Sequence, residues 1–308
     1  PDVLRRRPPE GARWARARNL RALVVPGAQP GRLSLGRLGR HLVAGEPRAS
    51  TIVVGPSQSG KTAGLAIPAI LEAAGPVLAV SVKRDLLDHT LESRRDGGPV
   101  WVYDPTGAAG LSDPAPRGWD PVRACHSWAG ARRVAQSLGS AHGRPGSRDA
   151  EFWLQMATKL VAPLLLAAAH TEGASMREVV RWLDTREENQ VADGLRRAAS
   201  PEAMDAFAAS CQREDRTRSS VYATAEGVLE PFADPCVAAS LSRPGVDPVA
   251  LVEGRGTLYI VAPAADQDRL APLFAGLAEH VLEVAFARAA AGRPCNPPLL
   301  VVLDEAAN

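Results

Sequence analysis

The sequence predicts an α/β fold with a mostly parallel sheet, interrupted by an inserted all-α segment. Short apolar runs rich in β-branched residues alternate with helical patterns before residue 106 and again after residue 255, an order typical of βαβ units. Between about residues 128 and 242 the pattern is helical with almost no strand signal. With 308 residues, 45% of them hydrophobic and 23% charged, the chain has ordinary globular composition.

The predicted strands are apolar runs that end in turn residues or lead into helices. They cover residues 50–55, 76–82, 100–103, 256–262 and 299–303. Helices are predicted over residues 60–74, 85–95 and 268–291, and strand-and-turn structure is predicted over residues 33–45. Within the helical segment, the run from Phe152 to Leu165 is apolar nearly all round, which predicts a buried helix with a kink at Pro163.

Composition limits the classes of protein to consider. The formal net charge of +2 excludes a uniformly basic surface for nucleic acid but permits a local one. The longest apolar run, Leu160–Ala169, is shorter than the roughly 20 residues of a membrane span, and no signal peptide is visible, so we expect a soluble chain.

The cysteines are widely spaced, which predicts reduced, mostly buried thiols and neither a zinc site nor a disulfide framework. They are Cys125, Cys211, Cys236 and Cys295.

The first 22 residues form a basic arm. Seven arginines stand there against only Asp2 and Glu10, which gives a local charge of +5. Such an arm is typical of a solvated, partly disordered tail. It is also typical of a juxtamembrane segment, because cytoplasmic positions beside a membrane span favour Arg and Lys. Both interpretations stay open.

The strongest motif is a phosphate-binding loop. The pattern G-x-x-x-x-G-K-[ST] is met at every specified position by Gly55-Pro56-Ser57-Gln58-Ser59-Gly60-Lys61-Thr62. The motif stands between a predicted strand and a predicted helix, as it requires. Its glycines let consecutive N–H groups point at phosphate oxygens, and the helix adds its positive N-terminal dipole. We therefore predict that this loop, together with Ala63, binds a nucleotide.

Two side chains of the loop have specific predicted roles. Lys61 is one of only three lysines among 36 basic residues, and a compact ammonium suits the space between terminal phosphates better than a planar guanidinium. The Thr62 hydroxyl is expected at a Mg²⁺ position. The predicted cofactors are ATP and Mg²⁺, with adenine favoured because no guanine-reading Asn-Lys-x-Asp motif is present.

An acidic pair follows the last predicted strand. Asp304 and Glu305 come directly after the apolar run 299–303, which places them at the C-terminal edge of a parallel sheet. Asp304 is predicted to hold Mg²⁺ through water, and Glu305 to polarise the attacking water, so Glu305 and Lys61 are the predicted catalytic residues. The alternative is a helix N-cap without a catalytic role.

The spacing of the two motifs indicates a large insertion. Asp304 follows Lys61 by 243 residues, whereas two or three βα units of roughly 30 residues each would need far fewer. This favours a motor-type nucleotide domain over a compact kinase or a small GTPase. We divide the chain into the basic arm (1–22), a nucleotide-binding domain in two parts (23–118 and 251–308) and an all-α domain (119–250).

Together these residues resemble the coupling proteins of type IV secretion and bacterial conjugation, the TraG/TraD group. The likeness extends over nearly the whole chain. It includes Gly11-Ala12-Arg13-Trp14, the loop at 55–62 with Ile67-Pro68, Val102-Tyr103-Asp104-Pro105, Trp119-Asp120-Pro121 and Asp304-Glu305. One departure is Ser81, which stands where the family often has Asp, whereas Lys83 is retained.

The resemblance implies a RecA-like P-loop ATPase that works as a hexamer at the cytoplasmic face of the inner membrane, attached through an N-terminal anchor. It implies transport of DNA, as a relaxase-bound single strand or a duplex, or of secreted proteins, into a type IV secretion channel in contact with relaxosome proteins. A neighbouring subunit can supply an arginine in such rings, for which the candidates are Arg84, Arg213, Arg216 and Arg218. The family's sheet continues past the acidic pair, so the second part of the nucleotide-binding domain is expected to be incomplete.

The leading hypothesis is thus an ATP-driven translocase subunit of a secretion or conjugation system. Two alternatives stay open. One is a nucleotide-gated adaptor whose helical domain binds substrates without motor activity. The other is a soluble hexameric DNA helicase or translocase.

Overall fold

A four-stranded parallel sheet and a block of helices make up most of the structure, a computed structural model that describes residues 17–142, 147–261 and 266–304. The strands are β1 (Val24–Val25), β2 (Ser34–Leu38), β3 (His41–Ala44), β4 (Val77–Ser81), β5 (Val100–Tyr103), β6 (Thr257–Val261) and β7 (Leu300–Leu303). The α-helices are α1 (Ile67–Glu72), α2 (Asp85–Gly97), α3 (Trp128–Ala141), α4 (Arg148–Ala169), α5 (Met176–Asp184), α6 (Asn189–Ala198), α7 (Pro201–Cys211), α8 (Asp215–Ala233), α9 (Pro235–Ser240), α10 (Pro248–Glu253) and α11 (Gln267–Ala290).

The larger sheet has the strand order β5-β6-β4-β7, and every neighbouring pair in it is parallel. Helices α3 to α10 lie in the connection from β5 to β6, and α11 lies in the connection from β6 to β7. A second, antiparallel sheet has the order β1-β3-β2. Because all strands of the larger sheet run the same way, their C-terminal ends meet at one edge.

The prediction of a buried strand over residues 50–55 is wrong for this structure. These residues have no regular secondary structure, and Ile52 and Val54 are 89% and 92% exposed. A β-branched run forms a strand only where a neighbouring strand supplies hydrogen bonds. Residues 50–55 do not pair with β7, whose outer edge pairs with no other described strand. The other four strand predictions are confirmed to within one residue, and the helices of the sheet region to within two.

Side chains of the parallel sheet alternate between two cores. Tyr103 and Ile260 belong to a cluster that also contains residues of α3, α4, α8 and α11. Val102 and Tyr259 belong to a second cluster with Ile70 of α1 and residues of α2. The sheet is therefore covered on both faces, as the period of two along a strand requires. The helical block shares one continuous core with the sheet, and the domain boundaries at 119 and 250 stay a prediction.

Helix α4 is the central helix of the block. Its residues from Leu160 to Ala168 are all buried, and it packs against α3, α5, α6, α7 and α8. Helices 148–169 and 268–290 have the length and hydropathy of membrane spans, but in this fold their apolar residues contribute to the core. The helix continues through Pro163, and the kink that the sequence predicts there stays a prediction. The Gly, Ser, Arg and Pro residues between positions 139 and 148 predict a loop; α3 continues to Ala141, and residues 143–146 lie outside the described part of the chain.

Most helices of the block begin at a side-chain cap. In six of them the side chain of the first residue outside the helix accepts a hydrogen bond from a backbone N–H of the first turn, which satisfies a donor that the helix itself cannot. These residues are Ser127, Ser147, Ser175, Ser200, Asp234 and Asp247. The caps define where each helix starts and explain the serine and aspartate residues at these positions.

The four cysteines are free thiols, as the sequence predicted. Cys125 is fully buried, and its thiol donates to the carbonyl of Pro121 at 3.3 Å. Burial raises the pKa of Cys125, so this thiol is unreactive. The expectation that the thiols are mostly buried holds only in part, because Cys236 is exposed and the other two are half-buried.

Arg94 connects α2 to the sheet. Its side chain is 5% exposed. The Nε atom donates to Thr257 Oγ1 at 2.7 Å, and one terminal nitrogen donates to the carbonyl of Gly75 at 2.9 Å. The carbonyls of Ala73 and Arg255 accept further bonds from the same guanidinium. Burial lowers the pKa of Arg94, but a guanidinium stays protonated in proteins, so the charge is held by these four acceptors.

Replacement of Arg94 by lysine keeps the positive charge but removes the planar guanidinium group and its set of N–H donors. We expect the free energy of unfolding to fall by about 2–3 kcal/mol, because buried acceptors lose their donor. Urea denaturation measures the change. The matched control is Arg95→Lys, since the ion pairs that Arg95 makes with described residues, Asp113 and Glu92, are at the surface; a loss under about 1 kcal/mol is expected. Equal losses in the two variants would contradict the role given to Arg94.

Gly194 permits the close crossing of α6 and α4. A Cβ atom at this position would lie 2.6 Å from the carbonyl oxygen of Ala167 and 2.9 Å from its Cα. We expect Gly194→Ala to lower the free energy of unfolding by about 1–3 kcal/mol, because backbone must move apart. Gly97→Ala is the control, since nothing lies within 4 Å of a Cβ on this helical residue. It should stabilise by about 0.5–1 kcal/mol. Thermal denaturation of both variants tests the contrast.

Candidate nucleotide-binding site

The loop at residues 55–60 forms a tight, exposed turn before α1. Gly60 has a φ of 83° and Gln58 a φ of 61°, a region that glycine adopts freely and glutamine only at a cost. A Cβ on Gly55 would lie 2.9 Å from Ser59 Oγ, a contact that rotation of the serine side chain could relieve. The amide of Gly64 donates to the carbonyl of Gly60 at 2.7 Å, and the chain therefore passes directly from the loop into the helical segment.

The first helical turn after the loop is widened. Residues Thr62–Ala66 form a π-helical turn in which the amide of Ile67 donates to the carbonyl of Thr62. Pro68 has no N–H, and in a regular α-helix its ring would clash with the carbonyl of Gly64. The wider turn relieves this conflict, and such turns are frequent at functional sites. The predicted helix therefore begins two residues late and in a different helical form.

Lys61 folds back over the loop. Its Nζ donates to the carbonyls of Gly55 at 2.8 Å and Pro56 at 2.9 Å. An ammonium group has three N–H donors, and the third has no partner in the part of the chain that the structure describes. The cation thus lies at the loop where a phosphate is expected, held by neutral carbonyl groups.

Thr62 and Asp304 are brought together although 242 positions separate them. The Thr62 hydroxyl donates to the carboxylate of Asp304, at 2.9 Å from Oδ2 and 3.2 Å from Oδ1. The amide of Asp304 donates to the carbonyl of Val80 at 2.9 Å, which extends the pairing of β4 and β7 to this residue. The two side chains predicted as metal ligands are therefore adjacent at the C-terminal edge of the parallel sheet.

The chemistry of this pair fits Mg²⁺. A hydroxyl and a carboxylate are oxygen donors of the kind that Mg²⁺ prefers, and the ion usually takes its other ligands from water and phosphate. Within residues 17–142, 147–261 and 266–304, no group of three or more His, Cys, Asp or Glu residues is placed to hold a metal ion.

Two other residues end strands at the same edge. Ser81, at the end of β4, is 5% exposed, and its Oγ accepts from the amide of Lys83 at 3.2 Å. Asp104 follows β5 and is fully buried; its carboxylate accepts from the amides of Gly107 and Ala109, both at 2.9 Å. No sequence pattern predicted a role for Asp104; its carboxylate holds the turn that starts at Asp104-Pro105.

Not every predicted site residue is placed by the structure. Glu305 lies outside the described residues, so its position relative to Thr62 stays a prediction.

Three of the four arginine candidates make contacts within the chain. Arg84 donates to the carbonyl of Ala109 and pairs with Asp88, Arg213 contacts Met156, and Arg218 donates to Asp215 and to the carbonyl of Cys211. Arg216, at the start of α8, is exposed.

The loop, the parallel sheet and the acidic strand end define a P-loop nucleotide-binding α/β protein. A family model described as Type IV secretory system Conjugative DNA transfer matches residues 23–308. The chain belongs to this family of type IV secretion and conjugation coupling proteins. The family resemblance and the fold class that the sequence predicted are thereby confirmed.

Two relatives are similar to this chain in sequence. The chain is 26% identical over 288 residues to Protein VirD4 of Agrobacterium fabrum (strain C58 / ATCC 33970), and 26% identical over 288 residues to Protein VirD4 of Rhizobium rhizogenes. Each comparison covers 87% of this chain and 40% of the relative. The chain thus spans about two fifths of the length of these relatives.

Solved structures of the plasmid coupling protein TrwB are similar at low sequence identity. Unbound TrwBdeltaN70 is 16% identical with a TM-score of 0.48, covering 74% of this chain and 61% of that chain. TrwB in complex with ADP and Mg²⁺ is 16% identical with a TM-score of 0.44, covering 74% and 63%.

Replacement of Thr62 by valine keeps the side-chain shape and removes the hydroxyl. We expect the affinity for ADP in the presence of Mg²⁺ to fall about tenfold, and the affinity in EDTA to change little, because only the metal-dependent contact is lost. Calorimetric titration under both conditions measures this. Thr62→Ser keeps the hydroxyl and should bind as the parent does. An equal loss with and without Mg²⁺ would contradict a metal role for Thr62.

Proposed function

We propose that the chain binds ATP with Mg²⁺ and that hydrolysis of this ATP drives DNA or protein substrates into a type IV secretion channel. The observation that carries this proposal is the 2.9 Å contact between the Thr62 hydroxyl and the Asp304 carboxylate. It joins the phosphate loop to the acidic end of the last strand, the arrangement that P-loop hydrolases use for Mg²⁺ and the terminal phosphate. Family membership supports the substrate class.

Each residue of the site has a role in this proposal. The amides of residues 57–61 bind phosphate oxygens, and Lys61 exchanges the carbonyls of Gly55 and Pro56 for the terminal phosphates. The Thr62 hydroxyl and the Asp304 carboxylate would hold Mg²⁺, which would neutralise the charge that develops on the phosphates. Glu305 orients the attacking water and accepts its proton.

Helix α11 supports a mechanical link from this site to the helical block. It connects β6 to β7 and packs against α3, where Glu283 pairs with Arg133 at 3.1 Å. Trp119 Nε1 donates to Nδ1 of His280 at 3.3 Å, and burial lowers the pKa of His280, which keeps that nitrogen an acceptor. A movement of β7 at the nucleotide edge could therefore be passed to α3 through these contacts of α11.

The wider assembly is part of the proposal. We propose that the whole protein works as a hexamer at the cytoplasmic face of the inner membrane, with an N-terminal anchor and with relaxosome and channel proteins as partners. The exposed Arg216 is the candidate that a neighbouring subunit could present to the terminal phosphate, because Arg84, Arg213 and Arg218 are engaged within the chain.

Lys61→Ala tests the nucleotide role. We expect the affinity for a fluorescent ATP analogue with Mg²⁺ to fall at least tenfold, because the only side-chain cation of the loop is lost, and phosphate release to fall to background. Lys159→Ala is the matched control, since Lys159 is an exposed lysine on α4, and it should behave as the parent does.

The outcomes separate the alternatives. Equal binding by the two lysine variants would remove Lys61 from the mechanism. Loss of binding in Lys61→Ala, without phosphate release from the parent chain at any nucleotide concentration, would favour the nucleotide-gated adaptor over the motor.

A further inference from the structure

Positive charge is concentrated at the start of the chain. The first 45 residues contain ten arginines against Asp2 and Glu10, whereas the rest of the chain is net negative. Residues 17–45, which form the β1-β3-β2 sheet and its approach, contain five arginines and no acidic residue. We call residues 17–45 the basic lobe. Its arginines are Arg18, Arg21, Arg32, Arg37 and Arg40.

One of these arginines builds the lobe and the others face solvent. Arg32 donates to the carbonyls of Gly45 at 2.7 Å and Ala22 at 3.0 Å, so it is used to hold the sheet together. The side chains of the other four are exposed. Within the described residues, no salt bridge involves any of them. Four exposed arginines thus give the lobe a positive surface charge.

Two leucines are exposed beside these arginines. Leu35 and Leu38 lie on β2, each 43% exposed, and β2 is an outer strand of the sheet. The turn that follows is tight, with Gly39 at a φ of 60°, and it presents Arg40. The hairpin 34–44 thus displays leucine and arginine together along one strand and its turn.

The lobe lies at the end of the parallel sheet opposite the nucleotide site. A Cβ on Gly31 would lie 3.2 Å from Cγ of Pro298, so Gly31 packs against the segment that enters β7. The Thr62–Asp304 contact is at the other end of that strand. A partner that covers the hairpin would leave the nucleotide edge open.

We propose that the hairpin 34–44 docks on the surface of an anionic lipid bilayer. Arg37 and Arg40 would pair with acidic headgroups, and Leu35 and Leu38 would enter the boundary between headgroups and acyl chains. The same charge could attract nucleic acid, but residues 17–49 contain no Phe, Tyr or Trp on which a base could stack, and His41 is the only aromatic ring there. Exposed leucines gain nothing from phosphates and gain affinity from burial in lipid. This inference does not depend on ATP hydrolysis.

Vesicle binding tests the proposal with the 308-residue chain. The probes are vesicles of phosphatidylcholine alone and of phosphatidylcholine with phosphatidylserine, separated from free protein by sedimentation. Each arginine near an anionic surface contributes about fivefold in affinity, so Arg37→Gln combined with Arg40→Gln should weaken binding to the anionic vesicles at least tenfold and leave the neutral ones unchanged. The matched control is Arg132→Gln with Arg216→Gln, which removes the same charge from two exposed arginines of the helical block and should reduce binding far less.

A leucine variant distinguishes lipid from nucleic acid. Leu38→Ser should weaken binding to anionic vesicles severalfold and leave the affinity for a DNA duplex unchanged. Equal vesicle binding by the two arginine pairs would overturn the proposal, as would a loss confined to DNA binding in the hairpin variant. All altered positions are exposed, so circular dichroism should show an unchanged fold. Lys61→Ala should bind vesicles as the parent does, which separates this proposal from that of ATP hydrolysis.

Discussion

The parallel pairing of β4 with β7 is the constraint on which the site depends. It aligns Val80 with Leu303 and continues through the amide of Asp304 to the carbonyl of Val80. This register fixes the position of the Asp304 carboxylate along the strand direction, at the C-terminal edge of the sheet. A slip of one residue would turn the carboxylate to the other face of the sheet, away from Thr62. The chemistry of the site is thus determined by backbone hydrogen bonds between strands more than 200 residues apart in sequence.

Much of this arrangement follows from local sequence. The apolar runs form strands at residues 77–81 and 257–261 because both of their faces are covered, and a continuous β-branched pattern is typical of such burial. The same pattern at 50–55 misleads, since a strand also needs a neighbour for its backbone, and neighbours are not encoded locally. The two motifs predicted a meeting of Thr62 with Asp304 because both are defined by their place at a strand end or helix start, and not by the distance between them in sequence.

Other features depend on contacts that no local pattern reports. The helical block and the sheet share one core because Trp119 and α11 insert between them; Gly276 has no Cβ, and one placed there would lie 2.6 Å from the Trp119 ring. A glycine and a tryptophan more than 150 positions apart give no joint signal in a single sequence. The widened turn before Pro68 was open to prediction, since proline excludes a regular α-helix at that point. Arg94 was not, because its four acceptors come from separate segments.

The charge distribution relates the two proposed surfaces to one another. A chain that is net negative after residue 45 has little general attraction for DNA, so a substrate strand would have to be bound by local or assembled surfaces.

The basic lobe is separated from the nucleotide edge by the length of β7. If the lobe rests on a bilayer, the C-terminal ends of the parallel strands point away from the membrane, toward the side from which ATP arrives. The lobe and the phosphate loop then use positive charge for different purposes. Exposed arginines on the hairpin suit a diffuse anionic surface, and a single lysine on a constrained loop suits one ligand. The choice of residue fits each use, since many exposed arginines suit a fluid array of headgroups and one compact ammonium suits a fixed phosphate.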